Sequence, residues 1–265
     1  MVLGASVGTG AEIARAVARN PGLDVFGVHR GKHGESAAEV AADVESAGRR
    51  VVMHAADAGS AEGAATGAAA LLDAAGARNV RLFVHSLASA SLGRLASGRT
   101  DQLAARQVHK TFDVMAHSFV FWVQELLARD LLAPGARLLG LTNPLDESLI
   151  LDCGLIAATK AALETYVKAL AAELGPRGFR VNLLKFSTVI TPAMRVVYGH
   201  EALERIEAVH RRMLPAGRMC TTAEVARVVS FLAGPDAEFF NGATIDFSGG
   251  MSLGLADLVL GRHDA

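Results

Sequence analysis

Short apolar runs alternate with amphipathic stretches of helical period along most of the chain. Apolar runs of this length are typical of buried strands, and a 3.6-residue period is typical of helices that cover them. The alternation predicts an α/β fold with a doubly wound, parallel sheet of seven strands and helices on both faces. The predicted strands are Met1–Gly4, Asp24–Val28, Arg50–His54, Val80–His85, Ala136–Leu141, Phe179–Leu184 and Ala243–Phe247. The predicted helices include Ala11–Arg19, Ser36–Ala47, Ala61–Ala75 and Thr111–Arg129.

No linker, repeat or low-complexity tract interrupts this order, so a single domain over residues 1–265 is expected. The segment Thr188–Pro215 departs from the alternation as a loop and helix inserted after the sixth strand. Ligands of such folds bind at the carboxyl edge of the sheet, so this segment is the predicted substrate lid. Thr221 and Glu224 have the spacing of a capping box, which predicts a helix over Ala223–Leu232.

Composition narrows the class of protein without giving its chemistry. The chain is 51% hydrophobic and 20% charged with a net charge of −1, which gives no electrostatic reason to expect nucleic acid or an anionic membrane as partner. Its two cysteines form no disulfide framework, as is typical of the cytoplasm. No apolar stretch approaches the roughly 20 residues of a membrane helix. We therefore expect a soluble, cytoplasmic protein without a metal site.

The first strand and first helix are joined by Gly4-Ala5-Ser6-Val7-Gly8-Thr9-Gly10. Glycines at such a turn let backbone N–H groups approach a pyrophosphate at the helix N-terminus. A glycine-rich turn alone is weak support, because an ordinary connection between strand and helix can have the same composition. Its place at the start of a βαβ unit favours dinucleotide binding by Gly4, Ser6, Gly8 and Gly10.

The end of the second strand bears on which dinucleotide binds. It carries Arg30 and Lys32 and no carboxylate for a ribose 2′-hydroxyl. A guanidinium pairs well with a 2′-phosphate, so NADP(H) is favoured over NAD(H), with Lys32 assisting Arg30. The alternative is that both are solvated loop charges. Asp57, after the third strand, could accept from the adenine amino group or cap the next helix.

Lys160 lies near the start of a strongly periodic helix. In a nicotinamide-dependent reductase, such a lysine holds the cofactor ribose, and a tyrosine on the same helix face donates a proton. One turn before Lys160 stands Ile156, and two turns before it stands Cys153. The proton must therefore come from another group, or the redox step has been lost.

Together these segments resemble the short-chain dehydrogenase/reductase family over nearly the whole chain, which implies a Rossmann-type fold and an oxidoreductase. The shared features are the glycine turn, Asp57, Lys160, Arg180-Val181-Asn182, Pro215-x-Gly217-Arg218, Phe231-Leu232-Ala233 and Gly249-Gly250. Others are more similar to the enoyl-acyl-carrier-protein reductase branch, namely Phe83-Val84-His85-Ser86-Leu87-Ala88, Ser118-Phe119, Gly154-Leu155 and Gly249-Gly250-Met251-Ser252.

The resemblance implies roles for single positions. The tyrosine of the enoyl branch falls at Cys153 and that of ordinary members at Ile156; the catalytic serine falls at Thr142. The asparagine of helix four falls at Met115, and Thr191 matches a residue that contacts the nicotinamide carboxamide. Ser86 is carried over as a cofactor-binding residue. The resemblance thus implies an intact cofactor site and an altered proton-transfer site.

Several side chains are candidates for the replacement proton donor. Tyr198 on the lid and Thr142 rank ahead of Cys153, whose thiol is mostly protonated at neutral pH. Asn143 and His117 are further candidates. Each also has an ordinary structural explanation, as a loop, helix or core residue.

Three functions remain open from the sequence. The first is an NADPH-dependent reductase of an activated double bond in an acyl thioester, with a substrate that an acyl carrier protein could hold. The second is a carbonyl reductase of the same family, and the third is a cofactor-binding protein that has lost hydride transfer. The resemblance also implies a homotetramer with Thr111–Arg129 and Gly154–Glu173 at its interface, supported by apolar residues such as Phe119, Phe121, Trp122 and Leu126.

Overall fold

A computed structural model describes residues 1–20, 22–32, 34–144 and 151–254. The predicted domain of 1–265 therefore includes positions outside the described residues. Within the described part, the strands are β1 (Val2–Leu3), β2 (Val25–His29), β3 (Val51–Ala55), β4 (Val80–His85), β5 (Leu132–Thr142), β6 (Arg180–Phe186) and β7 (Thr244–Phe247). The α-helices are α1 (Gly8–Ala18), α2 (Gly34–Ser46), α3 (Ala61–Ala75), α4 (Ala105–Phe112), α5 (Ser118–Ala128), α6 (Gly154–Leu174), α7 (Pro192–Met213) and α8 (Thr222–Leu232).

The seven strands form one sheet in the order β3-β2-β1-β4-β5-β6-β7. All six strand pairs are parallel. This confirms the predicted fold class. Because the strand order reverses between β1 and β4, the connections on the two sides diverge there and leave a crevice at the carboxyl edge.

Two apolar layers cover the faces of the sheet. One face packs against α3, α5 and α6 through a cluster that includes Phe83, Phe119 and Trp122. The other face packs against α1 and α8 through a cluster that includes Ile13 and Val225. The helix dipoles on both faces consequently direct their N-termini to the same edge of the sheet, where the polar candidate residues lie.

The predicted helix Thr111–Arg129 is wrong as one continuous element. It begins earlier, at Ala105, and is interrupted by a π-helical turn over Asp113–His117, where the Ser118 N–H reaches the carbonyl of Asp113. The predicted strand Ala136–Leu141 is too short, because β5 begins at Leu132 and contains an irregular register opposite Val80–Leu82. The remaining predicted elements lie within a few residues of the observed ones.

The predicted lid segment contains α7, which is kinked at Gly199 by its non-helical angles of φ 70° and ψ 175°. Thr191 caps the helix by accepting a hydrogen bond from the Met194 N–H at 3.3 Å. The predicted capping box is present in α8, where Thr221 Oγ1 accepts from the Glu224 N–H and a Glu224 carboxylate oxygen accepts from the Thr221 N–H. The role of residues 188–215 as a lid stays a prediction.

The first turn of α1 requires glycine for reasons of space. A Cβ on Gly10 would collide with the carbonyl of Gly4, and one on Gly34 would meet nothing within 4 Å. We predict that Gly10→Ala lowers the free energy of unfolding by about 1–3 kcal/mol, as overpacking typically does. Gly34→Ala is the matched control and should be neutral or slightly stabilising. Urea denaturation measures both, and equal stabilities would contradict the packing argument.

Candidate active site

The glycine-rich turn forms the floor of a pocket at the carboxyl edge. Gly4 has a φ of +75°, and a Cβ there would overlap the carbonyl of Ser86. Gly8 lies against the start of the lid, with its ideal Cβ position 3.5 Å from Thr191 Cγ2. Gly4, Gly8 and Gly10 of the turn line one pocket together with Ser86 and Thr191, whereas the predicted cofactor residue Ser6 is buried and does not line it. This cradle of bare backbone before a helix N-terminus fits a pyrophosphate, as the dinucleotide interpretation requires.

Arg30 and Asp57 line the other end of this pocket. The Arg30 guanidinium is exposed and donates to Ser89 Oγ at 3.3 Å. Asp57 accepts from the Gly59 N–H at 3.2 Å and from Lys110 Nζ at 2.9 Å. The Lys110 ammonium is the main cause that lowers the pKa of the Asp57 carboxyl. An ionised acceptor and a guanidinium therefore stand together where an adenosine phosphate would lie.

The alternative that Asp57 caps the next helix is wrong. Helix α3 is capped by Ser60, whose Oγ accepts from the Gly63 N–H at 3.0 Å. Asp57 instead forms a tight local turn with Gly59 and an ion pair with Lys110.

Lys160 is buried, with 6% of its surface exposed, and its Nζ donates to the carbonyl of Leu141 at 3.1 Å. Its long side chain runs from α6 to the end of β5. Burying an ammonium is costly unless polar groups surround it, so this position is unlike an ordinary helix lysine. The geometry places the cation beside the carboxyl edge of the sheet, as the sequence predicts.

His85, at the end of β4, is a polar neighbour of Lys160 that sequence reasoning did not single out. It is fully buried, and its Nε2 lies 2.7 Å from Ser118 Oγ. The Ser118 hydroxyl donates to the carbonyl of Val114 at 2.8 Å, so it accepts from the His85 Nε2–H. Burial and then the charge of Lys160 lower the pKa of His85 to about 3. The imidazole is thus neutral, in a tautomer set by Ser118.

Cys153 is the residue just before α6 and not part of it, which corrects the prediction that positions 153, 156 and 160 share one helix face. Its carbonyl accepts from the Ala157 N–H, and its thiol is buried. Burial and then Asp152 raise the pKa of this thiol, which keeps it protonated at neutral pH. Ile156 lies in the first turn of α6 and is half-buried.

Tyr198 stands on the lid immediately before the kink at Gly199. It is 41% exposed. Burial of the rest of the side chain, and then the proximity of Cys153, raise the pKa of its phenol. The Tyr198 phenol on α7 is thus close enough to Cys153 for the two groups to interact electrostatically.

Thr142 and Asn143 end β5 beside Lys160. Thr142 is buried, and its hydroxyl makes a long contact of 3.4 Å to the carbonyl of Asn143. The side-chain oxygen of Asn143 is buried and has no hydrogen-bond partner among the described residues. An unpaired buried oxygen normally requires an explanation, and a bound ligand would supply one.

His117 is not placed as a proton donor to this site. Its Nδ1 lies 3.0 Å from the Tyr166 hydroxyl, and its ring contacts Phe112 and Phe121. It is a satisfied residue of the π-helical turn. The partners of Ser118 and Lys110 could not be predicted from the sequence, because they lie 33 and 53 residues away along the chain.

Large apolar side chains remain exposed after the carboxyl ends of several strands. Leu92 and Leu95 follow β4, Leu151 follows β5, Val196 follows β6 and Leu253 follows β7. Leu95 approaches the first turn of α6, within 3.2 Å of an ideal Cβ on Gly154. These residues all follow strand ends at one edge of the parallel sheet and do not line the pocket. We call this exposed set the apolar rim.

The doubly wound sheet, the glycine cradle and the buried lysine define a dinucleotide-binding protein of the Rossmann type. A family model described as enoyl-(acyl carrier protein) reductase matches residues 4–252. The chain belongs to the short-chain dehydrogenase/reductase family and is an oxidoreductase of that family, which confirms the resemblance seen in the sequence.

Known proteins are similar over nearly the full length. 1-Cyclohexenylcarbonyl-CoA reductase of Streptomyces collinus is 28% identical over 255 residues, which cover 96% of this chain and 86% of that protein. A short-chain dehydrogenase/reductase from Serratia marcescens superposes with a TM-score of 0.83 at 25% identity, covering 95% and 96% of the two chains. A short-chain dehydrogenase from Burkholderia cenocepacia, solved in complex with NADP, gives 0.78 at 26% identity, covering 94% and 96%.

Within the ranges that the structure describes, no helix is long and apolar enough to cross a membrane. The same residues contain no group of three or more His, Cys, Asp or Glu side chains arranged to hold a metal ion.

The neutral state of His85 predicts a pH dependence of stability. Its pKa is about 3 in the fold and 6.5 for an ordinary histidine, so below pH 6.5 the unfolded chain takes up a proton that the native state does not bind. Stability should be fully present above pH 6.5 and fall on acidification, by up to about 1.4 kcal/mol per pH unit. Denaturant unfolding at pH 7 and pH 5 should show a loss about 2 kcal/mol larger for the wild type than for His85→Gln.

The exposed His200 on α7 provides the control. The variant His200→Gln should retain the wild-type loss between the two pH values. An unchanged loss in His85→Gln would show that the imidazole is already charged in the native protein.

Proposed function

We propose that the protein is an NADPH-dependent reductase of an activated carbon–carbon double bond in an acyl thioester, with a proton donor outside helix α6. The observation that carries the proposal is the buried ammonium of Lys160 at the carboxyl edge of the sheet. Two further features support it: Cys153 stands where the resemblance places the helix tyrosine, and the Tyr198 phenol is close enough to Cys153 for the two groups to interact electrostatically. The family description and the name of the Streptomyces relative both concern reduction of thioester-bound acyl groups, which supports this substrate class.

The cofactor proposed is NADP(H). The Burkholderia neighbour was solved with NADP, and here Arg30 provides an exposed guanidinium at one end of the pocket. The nearby Asp57 carboxylate is ion-paired with Lys110, and among the described residues Arg30 has no ion pair within 4.0 Å. The turn from Gly4 to Gly10, with Ser6 and Ser86, would hold the pyrophosphate end. Thr191 and Lys160 would hold the nicotinamide and its ribose.

The bound cofactor would supply a hydride to the β-carbon of the substrate. This chain must then stabilise the negative charge that moves onto the thioester oxygen, which is the principal electrostatic task of such a site. Lys160 stabilises this negative charge with its buried ammonium, which bulk water does not screen. His85 stays neutral beside it and does not compete for that charge. The apolar rim would exclude water and receive the acyl group.

The proton donor is proposed to be Tyr198, with Thr142 as second candidate. A phenol with a raised pKa remains protonated and can donate a hydrogen bond to the developing oxyanion. Thr142 is buried next to Lys160 and has no strong hydrogen bond of its own. Cys153 is placed third, because a thiol is a weak donor.

The absence of the helix tyrosine favours a second candidate function, a family member that binds the dinucleotide and has lost hydride transfer. In that case the Lys160 site would be preserved for binding alone. Measuring NADPH oxidation with a crotonyl thioester and a keto-thioester side by side separates this possibility from both reductase functions.

We further propose a cytoplasmic homotetramer whose substrate an acyl carrier protein could present. The support for the interface is narrower than the sequence suggests. Phe119, Trp122 and Leu126 are fully buried in the core of the chain itself, which leaves Phe121 half-buried on the outer side of α5. The family resemblance is the remaining support.

Arg30 should select NADPH over NADH. A charge-assisted pair to a phosphate contributes roughly 1.5–3 kcal/mol, which corresponds to about tenfold or more in affinity. We expect Arg30→Ala to weaken NADPH by at least that factor and to leave NADH nearly unchanged in a fluorescence titration. Arg50→Ala, which removes an exposed guanidinium paired with Asp24, is the control and should change neither. Equal losses for both cofactors would contradict a role in reading the 2′-phosphate.

Tyr198 should be needed for turnover and dispensable for cofactor binding. We expect Tyr198→Phe to lower kcat for a crotonyl thioester by about 10²-fold, as loss of a general acid typically does, with the Kd for NADPH unchanged. The chain contains two tyrosines, so Tyr166→Phe, which removes the hydroxyl bonded to His117, is a matched control and should leave kcat close to that of the wild type.

Four further variants complete this test. Lys160→Ala should weaken cofactor use strongly, whereas Cys153→Ala should have a modest effect. Cys153→Tyr should raise turnover more than Ile156→Tyr, because it places a phenol where the enoyl branch carries one. Full activity in Lys160→Ala would rule out the reductase, and loss of activity in Cys153→Ala would make the thiol the donor.

A further inference from the structure

A second pocket lies between α7 and the start of α8, on the far side of the loop that leads to the nicotinamide end of the cofactor site. Its lining includes Arg195, Arg211 and Arg218, together with Glu207, Thr221 and Thr222. We name it the arginine pocket, after Arg195, Arg211 and Arg218. None of these residues takes part in the proposed reduction.

The kink at Gly199 creates this pocket. Arg195 and Arg211 are 16 positions apart on α7, and an unbroken helix would separate them by about 24 Å. The non-helical angles of Gly199 turn the first part of the helix relative to the second, so that both side chains line one cavity. The fold therefore assembles like charges that the sequence keeps apart.

The cations of the pocket are poorly compensated. In the part of the chain that the structure describes, neither Arg195 nor Arg211 forms an ion pair; Glu207, one turn before Arg211, does not reach it within 4.0 Å. Other charged pairs with this spacing on α7 do meet, for example Glu201 with Arg205 at 2.6 Å. Like charges assembled without partners repel each other, and a bound anion would relieve that repulsion.

Arg218 provides the fixed side of the pocket. Its guanidinium is bonded to both carboxylate oxygens of Glu224, at 2.6 and 2.9 Å, and also to the carbonyl of Met219. Thr221 and Thr222 line the pocket at the N-terminus of α8, where the helix dipole favours negative charge. The Thr221 hydroxyl is bonded to Glu224, so Thr222 is the residue whose hydroxyl could face a ligand. Planar guanidinium donors and hydroxyls are the groups that bind phosphate oxygens well.

The arginine pocket and the cofactor pocket are lined by consecutive residues of the chain. Ile190 lines the arginine pocket, and the next residue, Thr191, lines the cofactor pocket. A ligand with its reactive end under the lid could therefore place a charged tail here through a flexible arm.

We propose that the arginine pocket binds the phosphate groups of a coenzyme A thioester, so that Arg195 and Arg211 recognise the coenzyme A part of the substrate. This inference rests on the proposed function, because it assigns the class of thioester that the reductase uses. It identifies the substrate by its phosphate chemistry and leaves the acyl group to the apolar rim.

The test compares crotonyl-CoA with crotonyl-pantetheine, which has the same acyl group and arm and no phosphate. Steady-state kinetics give KM for both, and calorimetry gives the Kd for coenzyme A without any turnover. We expect the double variant Arg195→Ala/Arg211→Ala to raise KM for crotonyl-CoA and the Kd for coenzyme A by about tenfold or more. Its kinetics with crotonyl-pantetheine and its Kd for NADPH should not change.

The control is Arg205→Ala on the same helix, whose guanidinium is paired with Glu201 and does not line the pocket. It should leave all four quantities unchanged, and thermal unfolding should show that both variants are folded. Equal KM values for the two substrates in the wild type, unaffected by the double variant, would overturn the inference while leaving the reductase intact. If inorganic phosphate bound as tightly as coenzyme A, the pocket would be a site for free phosphate, and the proposal that it recognises coenzyme A would be wrong.

The two proposals can fail separately. If coenzyme A bound through Arg195 and Arg211 and no thioester oxidised NADPH, the reductase would be excluded and the phosphate assignment would stand. If both thioesters were reduced with identical kinetics in every variant, the assignment of the pocket would fail alone.

Discussion

The burial of the Lys160 ammonium constrains the positions of the groups around it. The ammonium of Lys160 is brought from α6 to the end of β5, where it donates a hydrogen bond to the Leu141 carbonyl. An ammonium held there is costly unless polar groups are fixed around it, so the positions of β4, β5 and α6 are coupled through it. His85 on β4 remains uncharged and therefore adds no second positive charge beside Lys160. The elements β4, β5 and α6 thus meet around the Lys160 ammonium, which has little freedom to move.

The candidate residues of the site come from two parts of the fold. The glycine turn, Lys160 and His85 belong to the sheet and the helices packed on it. Tyr198 belongs to α7, next to the glycine that interrupts the helix. If Tyr198 is the proton donor, the chemistry depends on the position of the lid, whereas a tyrosine on α6 would be in place before substrate arrives. Placing the donor on the lid would thus couple substrate enclosure to proton transfer.

Much of the fold could be predicted from the sequence because its signals are local. Strand β4 and helix α3 have the bounds that the apolar pattern predicts. Strand β5 was predicted too short, because Pro134 and Gly135 have the composition of a turn although they lie within an irregular part of that strand. The π-helical turn could not be predicted, since a single wider turn leaves the apolar pattern of a long helix almost unchanged.

The candidate site shows the same division. The glycine turn and Lys160 could be predicted because residue type and spacing along the chain carry their meaning. The partners that tune the site come from distant segments: Ser118 orients His85, and Lys110 pairs with Asp57. Proximity of this kind is produced by packing and leaves no trace in spacing. Cys153 illustrates the limit, because the position of a helix start by one residue decides whether its side chain belongs to the helix face.

The π-helical turn over Asp113–His117 sets the rotation of everything that follows it in α5. One residue corresponds to about 100° of helical rotation. A deletion that converted this turn to regular α-helix would rotate Ser118 away from His85 and, in the same movement, Trp122 away from the carbonyl of Ala58, to which its indole N–H donates at 2.9 Å. A deletion of one residue in this turn would therefore disturb the core and the active site together. The extra residue of the π-helical turn fixes the rotation of α5, which a substitution can preserve and a change of chain length cannot.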